Sequence, residues 1–179
     1  MRLFIAINFD EETRQKFVAV QQKLEEVGKG NFTRPENLHL TLVFLGEVSP
    51  TRVERVRKAM DRISFSPLEL VFDHVGQFKR RGGDIWWIGL EANKDLIFLQ
   101  RDLVQQLERE GFLLNKGRFT PHITLARKVV PIDSFEAGEL LKDSIRTTIC
   151  TVSLMLSERI AGKLVYTEQY AISAKRLES

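Results

Sequence analysis

The sequence predicts an α+β fold of two similar, pseudo-twofold-related lobes around a central cleft, with mainly antiparallel sheets and the helices outside. Three observations lead there. Short apolar, β-forming runs alternate with amphipathic helical stretches that bring their own caps and stops. A constant shift of 83 residues lays parts of the second half over the first, putting Asn93 on Asp10, Leu107 on Leu24, Gly111 on Gly28 and His122 on His39. At that same shift stand two related tetrapeptides, His39-Leu40-Thr41-Leu42 and His122-Ile123-Thr124-Leu125. Each half reads as β-α-β-α-β and is too short to bury its own helices and sheet, so the two must share a core. The 179 residues are therefore expected to form one domain of two lobes, about 1–80 and 84–179, with the closing strands free to cross between them.

Leu3 to Phe9 is the first strand, followed by Asp10 as N-cap and Glu11 and Glu12 in the first helical turn. Phe17, Val20, Leu24 and Val27 share one face of that helix, and Gly28 is its expected stop. Leu38 to Leu45 is a second strand. Ser49-Pro50 opens a helix with Val53, Val56, Met60 and Ile63 on one face. Leu68 to Phe78 is a strand ending in the basic turn Lys79-Arg80-Arg81-Gly82-Gly83. The order then restarts. Ile85 to Leu90 is a strand, Asn93 an N-cap, and Leu96, Leu99, Leu103 and Leu107 line a helix that stops at Gly111. Pro121 to Leu125 reads as a strand, Ile132 to Leu141 as a short helix, and Thr148 to Leu156 and Val165 to Ala174 as closing strands.

Composition narrows the function classes. A hydrophobic fraction of 43% with 28% charged residues is that of an ordinary globular chain. The single Cys150 allows no internal disulfide, and no Cys/His cluster marks a structural zinc, so a reducing, cytoplasmic setting is the default. No window approaches the ~20 apolar residues of a membrane helix. A net charge of +3 permits a polyanionic partner without requiring one.

The chemistry concentrates in the two tetrapeptides. Strand side chains alternate, so His39 and Thr41 point to one face and Leu40 and Leu42 to the other, and the same holds for His122 and Thr124. Under a pseudo-twofold the two pairs face each other and supply two groups that titrate near neutrality, one to take a proton and one to give it. The threonine hydroxyls are short donors suited to phosphate oxygens held between the histidines. A solvated strand face explains either motif alone. It does not explain two of three histidines at equivalent points of a repeat.

With the flanking runs Arg2-Leu3-Phe4-Ile5-Ala6-Ile7, Arg34-Pro35-Glu36-Asn37-Leu38-His39 and Phe119-Thr120-Pro121-His122-Ile123-Thr124-Leu125-Ala126-Arg127, the chain resembles the 2H phosphoesterase superfamily. Within it, the chain is most similar to the bacterial and archaeal RNA 2',3'-cyclic phosphodiesterases, historically called 2'-5' RNA ligases. The resemblance implies a bilobal fold with a cleft, opening of a 2',3'-cyclic phosphate to a 2'-phosphate with no metal or cofactor, and in some members 2'-5' joining of RNA ends. It implies that His39 and His122 are the acid and base, in that order by family analogy. It further implies that Thr41 and Thr124 hold phosphoryl oxygens and that Arg127 helps them. The partners it implies are RNA ends or nucleotides carrying a cyclic phosphate. No membrane or obligatory protein partner is implied, and a monomer is expected because the repeat supplies both halves of a site.

Strict alternation puts Arg127 with Ile123 and Leu125, away from His122; it reaches the cleft only if the strand ends, twists or bulges near Ala126. Phe44 stands at the equivalent point of the first motif. His74 lies outside the repeat and reads as a surface residue. Phe9, Phe44, Phe78, Trp86 and Trp87 are candidates to stack a base, although alternation keeps Trp86 and Trp87 from both being inside. Lys79-Arg80-Arg81, Arg127-Lys128, Arg34, Lys116 and Arg118 could follow an RNA backbone or serve only solubility. Competing readings are an end-joining ligase, a nuclease that forms the cyclic phosphate, and a nucleotide-binding module without turnover. A metal-dependent hydrolase is disfavoured because neither motif carries a second ligand at metal-binding spacing.

Overall fold

The computed structural model describes residues 1–176. Along the chain run β1 (Arg2–Ile7), α1 (Glu11–Val27), β2 (Gly28–Phe32), β3 (Leu40–Glu47), α2 (Val53–Asp61), β4 (Leu68–Phe78), β5 (Asp84–Leu90), α3 (Lys94–Arg109), β6 (His122–Pro131), β7 (Ile145–Ile149), β8 (Thr151–Ile160) and β9 (Lys163–Ser173). The strands pair in the order β7-β4-β5-β6-β3-β1-β8-β9, with β2 against β6. Every pairing is antiparallel. At the centre β3 and β6 meet through one residue pair, Leu40 opposite Ile123. These two are equivalents under the 83-residue shift, and an antiparallel pair of equivalent residues is what a twofold axis between two copies produces. The axis divides the sheet into two wings, β3-β1-β8-β9 and β6-β5-β4-β7.

The wings are not the halves of the chain. The boundary expected near residues 80–84 falls inside the β4–β5 hairpin, whose strands pair from Phe72↔Leu90 to Phe78↔Ile85. A short turn makes neighbouring strands partners, so β4 from the first half joins β5, while β8 and β9 from the second half join β1. The helices cross too. Helix α1 packs on β2, β6 and β7, and α3 packs on β3 and α2. Phe17 of α1 meets Phe9 and Phe72 of β4 edge-on at 5.0 and 5.1 Å between ring centres. On the other side Leu96, Leu99, Leu103 and Leu107 of α3 are buried as the periodicity predicts, each worth about 1.5–3 kcal/mol of apolar burial.

Both long helices start at their predicted caps. Asp10 accepts from the Thr13 N–H at 2.8 Å and Asn93 from the Leu96 N–H at 2.9 Å. Gly111, at φ +85, follows the end of α3 in the left-handed region that favours glycine. Gly28 works differently. Its backbone is extended (φ −151) and leads straight into β2, a strand that Gly-Lys-Gly-Asn-Phe does not advertise by propensity. The requirement in β2 is proximity: a Cβ on Gly30 would stand 2.8 Å from the Arg127 carbonyl oxygen.

Three further expectations need correcting. The helix expected over Ile132 to Leu141 is a single 3-10 turn, Ala137–Glu139; the Ser134 N–H turns back onto Asp133 Oδ1 at 2.9 Å, and Gly138 falls within the stretch. The strand expected over Thr148 to Leu156 is two strands broken at Cys150, where the chain leaves β7 in one wing for β8 in the other. The helix expected from Ser49-Pro50 opens with a 3-10 turn at Pro50–Arg52 before α2. Among the described residues no helix is long and apolar enough to cross a membrane.

Candidate active site at the joint of the wings

Leu40 and Ile123 are fully buried, so their neighbours on either side point to the opposite face. Continuing that register sets His39 across from Thr124 and Thr41 across from His122. Residues directly opposite have Cβ atoms about 5 Å apart, and diagonal ones stand about 7–8 Å apart. The two His-Thr pairs are thereby brought to one face at the joint of the wings, with His122 near enough for its charge to act on His39.

The rings are turned alike. His39 Nδ1 lies 2.6 Å from the Asn37 carbonyl oxygen and His122 Nδ1 lies 2.7 Å from that of Thr120, again equivalents under the shift. A carbonyl only accepts, so each Nδ1–H donates and each neutral ring keeps its lone pair on Nε2. The Thr41 hydroxyl sits 2.9 Å from His39 Nε2. Among the described residues His122 Nε2 has no such partner. Phe4 and Tyr166 flank the His39 ring at 5.0 and 5.1 Å, and Phe78 and Trp87 flank His122 at 5.3 and 6.0 Å. Burial among these rings pushes both histidines below their ordinary 6.5, against the opposing effect of the backbone carbonyls. The Arg127 charge lowers both further, and that of His122 also lowers His39.

That Arg127 is felt at both rings follows from the strand. Across β5 and β6, Trp87 pairs with Thr124 and the next residue, Trp86, with Ala126, leaving Leu125 as an extra residue. Leu125 and Ala126 are both buried and Arg127 is exposed, so the alternation slips by one and Arg127 moves to the face of His122 and Thr124. The condition set by the sequence, a bulge near Ala126, is met. The freed Leu125 carbonyl accepts from the Thr33 N–H at 2.9 Å and from Nε2 of the buried Gln21 on α1 at 2.9 Å. Strand β3 repeats the device: Leu42 is the extra residue between the pairs Ile5↔Val43 and Ala6↔Thr41, and Gln100 of α3 reaches the Leu42 carbonyl at 3.4 Å. Phe44 therefore takes the place Arg127 has in the other wing, with the Arg2 guanidinium 5.2 Å above its ring.

Of the other candidates, Trp86 is buried against Phe135 and Phe9 lies in the core beside Phe17. Trp87 and Phe78 line the site. His74 is exposed as expected, yet it bonds Asp73 Oδ1 at 2.6 Å and stands edge-on to Trp87. Among the basic residues, Lys79 pairs with Asp84 at 3.2 Å, Lys116 with Glu108 at 3.6 Å and Arg34 with Glu36. Tyr166 was not anticipated. It comes from β9, which has no counterpart in the repeat, and burial raises its hydroxyl above the usual tyrosine value, keeping it a donor. Among the described residues no three His, Cys, Asp or Glu side chains gather as a metal ion needs.

The sequence profile described as the 2'-5' RNA ligase superfamily matches residues 10–160. The chain is 34% identical over 128 residues to the RNA 2',3'-cyclic phosphodiesterase of Archaeoglobus fulgidus, covering 71% of this chain and 72% of that one. It is 33% identical over 147 residues to the Thermotoga maritima protein of the same name, covering 80% and 77%. The crystal structure of Escherichia coli LigT complexed with 3'-AMP superposes with a TM-score of 0.83 at 28% identity, covering 98% of each chain. With its profile matched from the first helix through β8 and its fold matched nearly end to end, the chain belongs to the 2'-5' RNA ligase superfamily.

Proposed function

We propose that this protein opens the 2',3'-cyclic phosphate of RNA ends or nucleotides to a 2'-phosphate by two-histidine acid–base catalysis. The observation that carries the reading is the pair of Nε2 atoms, each fixed by an Nδ1–H bond to an equivalent carbonyl and set across the joint of the wings. His122, whose Nε2 is open, takes a proton from water as the water oxygen bonds to phosphorus in line. His39, protonated on Nε2, donates to the ribose 3'-oxygen as the P–O3' bond breaks, and the phosphate stays on O2'. Thr41, Thr124 and the Arg127 fork donate to the non-bridging oxygens as charge grows on them. One chain contributes both histidines, so a monomer suffices, and the unpaired Cys150 fits a reducing cytoplasm.

The test incubates the protein, in EDTA, with an RNA ending in a 2',3'-cyclic phosphate and separates the phosphate isomers. The expected product is the 2'-phosphate. A 3'-phosphate, no product, or turnover only on adding metal contradicts the reading; a 2'-5'-linked product from added 5'-hydroxyl ends would place end joining ahead of hydrolysis.

A further inference from the structure

Two backbone carbonyls aim the two histidines, and the chain fixes them by different means. Thr120 is exposed and precedes Pro121. A residue before proline is confined to extended backbone, so the proline ring itself restricts the direction of the Thr120 carbonyl. In the other wing Leu38 stands where Pro121 does and imposes no such limit. Asn37 instead ends a 3-10 turn, Pro35–Asn37, after which the Leu38 N–H donates to the Pro35 carbonyl at 3.2 Å. Its side chain is buried, and Nδ2 donates to the Leu164 carbonyl of β9 at 2.9 Å. Its own carbonyl accepts from His39 Nδ1–H at 2.6 Å. Two positions beyond Leu164, on the same face of β9, is Tyr166, edge-on to the His39 ring. Strand β9 is the last of its wing and pairs with β8 alone, so the Asn37 bond joins its Leu164–Tyr166 segment to the turn that precedes His39.

We propose that Asn37 is the positioning residue of His39: its carbonyl decides which ring nitrogen faces the other wing, and its amide keeps that carbonyl and Tyr166 in register. In its effect on turnover this rests on the phosphodiesterase reading; in the ring it holds, it does not. Without the amide the Leu164 carbonyl loses a donor, the peptide after Asn37 is freer to tilt, and water gains access to a ring that Phe4 and Tyr166 shield. The groups that act on His39, namely His122, Arg127 and Tyr166, stay as they are, so orientation and dryness are lost while the charges remain.

The holding is tested by ¹⁵N NMR of the histidine rings in the free protein, at a pH where both are neutral. In the wild type both should carry the proton on Nδ1. In Asn37→Ala, and in Asn37→Leu, which keeps the volume and removes the donor, His39 should become a mixture of tautomers while His122 stays unmixed. Asn93→Ala, which removes the cap of α3, should lower the melting temperature and leave both rings unchanged. An unmixed Nδ1–H form of His39 in both Asn37 variants, or an equal change at His122, overturns the proposal. Kinetics on an RNA 2',3'-cyclic phosphate test the consequence. In both Asn37 variants kcat should fall on the order of 10- to 10²-fold with KM nearly constant, because a misaimed donor weakens the transition state and leaves binding intact. The kcat/KM optimum should move to higher pH as water relieves the desolvation of His39. A loss carried by KM, or an optimum that does not move, overturns the proposal as well. A wild type without turnover whose His39 still loosens in Asn37→Ala overturns the phosphodiesterase reading and leaves the positioning role standing.

Discussion

His39 and His122 share a tautomer because Asn37 and Thr120 offer the same carbonyl two residues upstream, but their surroundings differ. His39 is shielded by Phe4 and Tyr166 and lies within reach of the charges of His122 and Arg127. Both titrate below 6.5 in the folded chain. The proposed catalysis needs one neutral and one protonated ring, and that singly protonated form peaks between the two depressed values. The kcat/KM optimum is therefore expected on the acid side of 6.5, with the alkaline limb of kcat at higher pH because a bound phosphate anion favours the proton on the acid. A kcat/KM optimum above neutrality contradicts this. Stability has a definite sign: between the depressed values and 6.5 the unfolded chain binds more protons, so stability falls as pH drops through that window. Replacing Arg127 with Ala should cost about 10²-fold in kcat/KM and move the optimum to higher pH, because a charge that opposes protonation is gone; Arg127→Lys should restore the optimum while recovering only part of the rate. An optimum in Arg127→Ala that does not move would place the arginine outside the site. The histidines and threonines are legible in the sequence because residue type, period-two alternation and the repeat point to the same positions. Tyr166 and Phe4 are not, since an aromatic in a strand looks like core until its tertiary neighbours are known.

Strand alternation fails in β6 for a local reason. Leu125 is extra to the β5 pairing, and its carbonyl is taken up by Thr33 and Gln21 instead. Periodicity cannot show this, because the residue that completes the bulge lies over a hundred positions away on α1. Gln21 also donates to the Thr33 carbonyl at 2.8 Å, so one buried amide ties helix, β6 and the loop before β3 together. Gln21→Leu leaves the Thr33 carbonyl beside an apolar side chain, removes one of the two donors to the Leu125 carbonyl and should destabilise the fold by about 1–3 kcal/mol. It should also lower kcat/KM and shift the pH optimum in the direction of Arg127→Ala, because the bulge aims the arginine. Chemical denaturation with a pH–rate profile checks both, and a destabilised variant with a wild-type profile would separate the bulge from the chemistry. The same limit explains β2, whose Gly28 and Gly30 serve close approach to β6, and the turn at Ala137–Glu139, where apolar spacing alone suggests a helix.

Across the molecule, the repeat is easy to read in the sequence and the assembly of the wings is not. The shift of 83 identifies β1 with β5, α1 with α3 and β3 with β6, and the central Leu40–Ile123 pair lies where that equivalence requires. Strand exchange is invisible to it because each copy donates elements to the other: α1 covers β6, α3 covers β3, β8 completes β1 and β4 completes β5. Cutting the chain in the 79–83 turn should therefore give two pieces that show no cooperative thermal transition alone and regain one when mixed; a cooperative transition in either piece alone contradicts the interleaving. The proposed active site inherits the same interdependence, one histidine from each copy meeting at the joint. The most direct measurement is the turnover of an RNA 2',3'-cyclic phosphate by His39→Ala, His122→Ala and the double variant, each checked to be folded. Each single change should cost at least ~10²-fold, and the double little more, because acid and base act as one unit. Full activity in either single variant, or losses that multiply in the double, would contradict it.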